Sequence, residues 1–221
     1  MHAANAWLAA AVLGVCACAT CPEAGAQEAQ RRDELAQVIE RVNDPDPLLR
    51  IAALEDVLAR GNATEVQLAI KAALNGSDPD LRSVALRGYA ANLRDLYLDS
   101  RLPEEVEAAL AKANSKDRDA LATRRAVAEW RQATADRLHV RLDQVDMKTG
   151  RFVAYGMNRV NKMDERLAGE GHVVGTRLRM SLGIHGLRRC AIELAPTTAL
   201  TLEGSATCDS MPRMLLSMPM Y

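Results

Sequence analysis

Apolar side chains recur every third or fourth residue from Gln27 to about Leu138, which is the period of a helix with one buried face. Leu35, Val38, Ile39 and Val42 make the first such stripe, and Asn43-Asp44-Pro45 ends it. Asp46 and Pro47 then supply a cap and a first-turn proline for a helix striped by Ile51, Leu54, Val57 and Leu58, broken at Gly61-Asn62. Val66, Ile70, Ala73 and Leu74 stripe a third helix, stopped by Asn75-Gly76. Asp78 and Pro79 open a fourth, with Leu81, Val84, Ala85 and Gly88 facing inward. Pro103 opens a partner helix carrying Val106, Ala109, Leu110 and Ala113, and a charged last helix, Asp117 to Arg137, carries Leu121, Ala128 and Trp130.

Near Leu138 the period changes to two, the period of strands with one buried face. Val140 and Leu142 alternate with Arg141 and Asp143; Asp146 to Gly150 reads as a turn and Phe152 to Tyr155 as a strand. His172 to Ile184 reads as one long strand, with Val174, Thr176, Leu178, Met180, Leu182 and Ile184 on one face. Cys190, Ile192 and Leu194 share a parity, as do Leu200, Leu202, Gly204, Ala206 and Cys208, and then Met214, Leu216, Met218 and Met220. The expected fold class is α+β: a helical domain over residues 27–138, then a small antiparallel β-sandwich or barrel over 139–221.

Two stretches of the helical half say nearly the same thing. Asp46-Pro47, Leu49-Arg50 and Ala52-Ala53-Leu54 align with Asp78-Pro79, Leu81-Arg82 and Val84-Ala85-Leu86. This pattern resembles HEAT repeats, over about residues 44–113. The resemblance implies stacked helical hairpins that bury their stripes on one another. It also implies a surface for a protein partner, with Arg87, Arg94 and Tyr97 as candidate contacts on the helices. Arg50 and Arg82 are expected to reach an Asp of the neighbouring repeat, as a ladder.

The first 26 residues are set apart. Ala6 to Ala19 is apolar and uncharged, too short to span a bilayer comfortably, and Ala24-Gly25-Ala26 has the small-x-small form cut by signal peptidases. Residues 1–26 are therefore expected to be a signal peptide cleaved after Ala26, with Val15 to Cys18 loosely similar to a lipobox as an alternative. The mature chain is expected in the periplasm or outside the cell, with no transmembrane helix. Three cysteines leave with such a leader; Cys190 and Cys208 remain, both on the apolar parity of their strands, and are expected to form a disulfide.

Composition narrows the function. A formal net charge of −1 argues against nucleic-acid binding, although the helical half is acidic and the C-terminal half basic. Aromatic residues are 3% of the chain, few for stacking sugars or bases. There is no GxSxG, HExxH, P-loop or GxGxxG, so no catalytic residues are expected. His139, His172 and His185 read as surface residues, too far apart along straight strands to share a metal. Met211, Met214, Met218 and Met220 suit Cu(I) chemically, but three share a face with Leu216, as core residues do. No cofactor or metal site is assigned. Glu104-Glu105 reads as a helix start and Asp164-Glu165 as a solvated loop. The loop Gly156–Glu170, with Arg159, Lys162 and Arg166, is the best ligand-contact segment, and Arg177, Arg179, Arg188 and Arg189 extend it as a basic patch. The expected function is an exported, non-enzymatic scaffold of a bacterial cell envelope that binds a protein partner; the alternative is a β domain that binds an anionic lipid, an anionic glycan polymer or Cu(I).

Overall fold

Side-chain caps start four of the six helices among the described residues, at Asp46, Asn62, Asp78 and Asp117. The computed structural model describes residues 22–114, 116–135, 137–157, 163–187, 189–209 and 211–221. Helix α1 spans Pro22–Val42, α2 Pro47–Arg60, α3 Ala63–Asn75 and α4 Pro79–Asn92. The Asp46 side chain accepts from the Leu48 N–H, and Asp78 accepts from Asp80 and Leu81, so the two Asp-Pro pairs are N-terminal caps. Asn62 and Glu65 form a reciprocal capping box on α3. Gly88 lets α4 approach α2: a Cβ there would lie 2.5 Å from Leu58 Cδ2.

The chain divides into an N-terminal unit ending at Glu34 and a main unit, Leu35–Tyr221. Most of the expected leader lies outside the described residues, and its cleavage point after Ala26 falls within the span of α1.

In the main unit the second Asp-Pro copy does not lead to a second helical hairpin. After α4 comes strand β1, Asp95–Arg101. Leu96 and Leu98 are buried, while Tyr97 and Asp99 are exposed. This alternation is the period of a strand, and it overrides the helical reading of this stretch. The helix opened by Pro103, α5 (Glu104–Lys112), packs instead on α6 (Arg118–Thr134), where Arg124 Nη2 donates to the Leu110 carbonyl at 2.7 Å near the end of α5. The buried residues of α6 are Ala120, Ala126, Val127, Trp130 and Thr134, while Leu121 and Ala128 are exposed. Trp130 Nε1 donates to Ser100 Oγ of β1 at 2.9 Å.

Seven further strands follow: β2 Arg137–Asp143, β3 Arg151–Met157, β4 Met163–Val174, β5 Arg177–Gly183, β6 Arg189–Pro196, β7 Thr201–Cys208 and β8 Met214–Pro219. Each pairs antiparallel with the next, and β8 returns to β1 through Asp99↔Ser217, Ser100↔Leu216 and Arg101↔Leu215. The eight strands close a barrel. The α+β class holds, with a barrel rather than a sandwich. Residue 138 does not separate the two parts, because the barrel begins at Asp95, before α5 and α6.

The expected long strand from His172 to Ile184 is a hairpin. Gly175 takes φ +55° in the turn between β4 and β5, and Val174 pairs with Arg177. The turn inverts the parity, so Gly171 and Val173 face inward and Val174 outward. The segment from Met163 onward, read from sequence as loop, belongs to β4.

Side chains fill the barrel, as eight strands allow. Leu138, Val140, Phe152, Leu178, Leu182, Ile192, Leu194, Leu202 and Leu216 are all buried. The Phe152 ring occupies the space over Gly171, where a Cβ would lie 2.1 Å from Cε2. Met214, Met218 and Met220 are buried in the same core, and Met211 packs against it. The outward faces carry Arg137, Arg151, Glu170, Arg177, Arg179 and Glu203. An apolar inside and a charged outside are the reverse of a membrane-spanning barrel. Among the described residues no helix is long and apolar enough to cross a membrane.

Helix α4 joins the helical layer to the barrel, packing against β2, β4 and β5. Arg87, expected as an exposed contact, is half-buried: its Nη1 donates to the carbonyls of Met147 at 3.0 Å and Lys148 at 2.8 Å, in the turn between β2 and β3. Arg50 Nη2 donates to Asp78 Oδ2 at 2.7 Å, and its Nη1 to the Asp44 carbonyl at 2.8 Å. The ladder has this one rung. No third Asp-Pro follows α4, because the chain leaves it for β1; Arg82 Nε, like Arg50 Nε and Arg87 Nε, is buried with no hydrogen-bond partner among the described residues.

Cys190 and Cys208 face each other across β6 and β7 and form the disulfide, with Cα atoms 4.2 Å apart. The double variant Cys190→Ala/Cys208→Ala is expected to lose about 3 kcal/mol of unfolding free energy in urea titrations; a loss below about 1 kcal/mol would show that strand pairing alone holds β6 to β7. The Arg50 guanidinium and the Leu81 and Asp80 N–H groups hold the Asp78 carboxyl below its ordinary 3.8. A depressed folded value stabilises the protein above the unfolded one and is lost as pH falls through the folded one. Stability should therefore drop below about pH 4, and Arg50→Met should lower the urea midpoint at pH 7 and shrink its difference between pH 7 and pH 3.

Candidate functional site

The outward residues of a barrel alternate with the inward ones, so neighbouring strands bring their polar side chains into rows. Across β4, β5 and β6 the register sets His172 beside Arg179 and Arg179 beside Glu193. Small side chains on β6 and β7 (Ala191, Ala195, Gly204, Ser205 and Thr207) leave a groove of about 810 Å³ on this face. Glu170, Arg177, Arg179, Glu193, Glu203 and Arg213 give it charge of both signs, and His172 lines it beside them.

Glu193 organises the groove. Its Oε1 accepts from Arg177 Nη1 and its Oε2 from Arg179 Nε at 2.9 Å. The Arg177 hydrogen bond, with the Arg179 charge beside it, holds the Glu193 carboxyl below its ordinary 4.5 against the opposing effect of desolvation. Two of the cations expected to form a basic patch thus share one carboxylate.

The other expected contacts are dispersed. Arg189 is exposed at the start of β6 and lines a separate depression with Glu170 and Ser181. Arg166 is exposed on β4, with its N–H donating to Asp164 Oδ1 at 3.0 Å. Arg159, Lys162 and Arg188 lie outside the described residues. Glu104 and Glu105 sit in the first turn of α5, where they favour the helix dipole.

A second cluster escaped the sequence reading. On β1 and β2, His139 Nε2 lies 2.8 Å from Asp95 Oδ1, and the imidazole stacks on Tyr97 with centroids 4.3 Å apart. The Arg137 guanidinium lies 5.5 Å from the Tyr97 ring centre, and its Nε lies 3.3 Å from Asp99 Oδ1. The signal was present in the alternation of Asp95, Tyr97 and Asp99 with Leu96 and Leu98. Tyr97 is therefore a strand residue rather than a helical contact; Arg94 is exposed, immediately before β1.

Among the described residues no group of three His, Cys, Asp or Glu side chains is arranged to hold a metal. Comparisons with protein-family models, with curated proteins and with solved structures return no match.

The pairing in the groove has a direct readout. By carboxyl-detected NMR, Glu193 is expected to titrate below 4.5 in the native protein and to move upward in Arg177→Ala. An unmoved midpoint would place the controlling charge elsewhere.

Proposed function

We propose that the protein is an exported, non-enzymatic binding protein of the cell envelope, and that it engages a protein partner at the start of α2. The carrying observation is a pair of adjacent leucines on a rigid frame. Leu48 is 76% exposed and Leu49 57% exposed. The turn beneath them is held by the Asp46 cap, by Pro47 and by the three hydrogen bonds from Arg50 to Asp44, Pro45 and Asp78. Preorganised apolar side chains beside charged ones are a common form of protein-binding surface, because little entropy is lost on docking.

Three further observations support the reading. The barrel core is filled by its own side chains, which favours recognition on outer surfaces. The disulfide fits an oxidising compartment. The sharing of Glu193 by Arg177 and Arg179 favours a protein partner over an anionic polymer.

The test is site-specific photocrosslinking in intact cells. A photoreactive side chain at position 48 is expected to give one adduct of defined mass, lost when Leu49→Asp is added. Adducts from a probe at Thr207, in the barrel groove, with none from position 48, would overturn this assignment in favour of the β-domain alternative.

A further inference from the structure

Helix α4 turns the side chain of Tyr89 into the core. The residue is 94% buried (6% exposed), yet its hydroxyl has no hydrogen-bond partner among the described residues. A buried hydroxyl without a partner has lost its water and gained nothing in return, so such groups are rare in stable folds and point to something that completes them.

Tyr89 also lines a pocket. Between α3, α4 and residues 220–221 lies a cavity of about 210 Å³, bounded by Val66, Ile70, Leu93 and Met220, by the rings of Tyr89 and Tyr221, and by the polar side chains of Gln67 and Asn92. Its position is fixed from both sides: Val66 and Ile70 belong to the buried stripe of α3, and the Met220 N–H donates to the Leu200 carbonyl at 3.0 Å. Tyr221 is 53% exposed while lining the same cavity, which gives the pocket an edge open to solvent.

The lining defines the occupant. Aliphatic side chains, a methionine and two tyrosine rings suit an aromatic ring, which gains from ring and thioether contacts as well as from burial, and the amides of Gln67 and Asn92 on the same lining suit a polar substituent on it. The volume admits one ring and a few further atoms. Burial pushes the Tyr89 phenol well up from its ordinary 10.0, and the neighbouring Tyr221 acts in the same direction, so the group stays a neutral phenol that can donate or accept. We propose that this pocket binds a compact aromatic alcohol, whose oxygen pairs with the Tyr89 hydroxyl while its ring lies against Val66, Ile70 and Met220.

The full chain is titrated with p-cresol and, separately, with toluene, which has the same ring and methyl group without the oxygen; binding is followed by NMR shifts and by thermal midpoint. The wild type is expected to bind p-cresol about tenfold more tightly than toluene, and Tyr89→Phe to erase that preference while leaving toluene affinity unchanged. Tyr89→Phe without ligand should be as stable as the wild type or more so, because an orphaned hydroxyl has been removed. Ala63→Trp, placed at an exposed first-turn position of α3 that also lines the pocket, should block both probes. Absence of millimolar p-cresol binding to the wild type, an unchanged preference in Tyr89→Phe, or a clear loss of unliganded stability in that variant would each overturn the proposal. The last result would mean that the hydroxyl already has a partner.

Discussion

The pairing of β1 with β8 is the constraint on which the architecture depends. Without it the other strands form a curved sheet with two open edges, each a row of unpaired N–H and C=O groups. With it every strand has two neighbours, and the apolar interior is sealed on all sides. The residues that make this seam come from distant parts of the chain: Asp99 to Arg101 follow α4, and Leu215 to Ser217 lie near the C-terminus. Helices α5 and α6 intervene between β1 and its other neighbour, β2. The helices and the barrel therefore share one core, in which Trp130 reaches Ser100 and Arg87 reaches the turn before β3.

Much of this was legible in the residues. The helices of the N-terminal half begin where Asp46, Asn62, Asp78 and Asp117 stand, because a short acceptor side chain there satisfies N–H groups that a helix leaves free. The cysteine pair was readable from parity, and the register then sets the two directly opposite. The failures have physical causes. Seven residues of β1 are too few to change the period of a long helical window, and Leu96 and Leu98 fit a helix face as well as a strand. The hairpin at Gly175 was hidden because a two-residue turn preserves an apparent alternation while reversing the face that it describes.

The surface was the least legible part. Sequence shows that Arg177 and Arg179 share a face, but not that Glu193 of the next strand lies against both. Cross-strand neighbours depend on register, and register depends on turns whose lengths were uncertain. Likewise Arg87 looked like a free cation on a helix, whereas it anchors two backbone carbonyls of the β2–β3 turn. Nothing in the sequence neighbourhood of Tyr89 indicates a hydroxyl with no partner.

The seam also governs the order of events as the chain folds. Hairpins from β2 to β7 join neighbours in sequence and can form as soon as both strands are available, but β1 waits for β8, the strand of the barrel farthest from it in sequence. Contacts of such separation form late, since a long loop must be closed before they return any energy. A chain that emerges from its N-terminus thus holds an unsealed sheet until β8 has appeared. During that interval the exposed edges need a chaperone or rapid delivery, and the speed with which the last strand arrives sets how long the protein is vulnerable to aggregation.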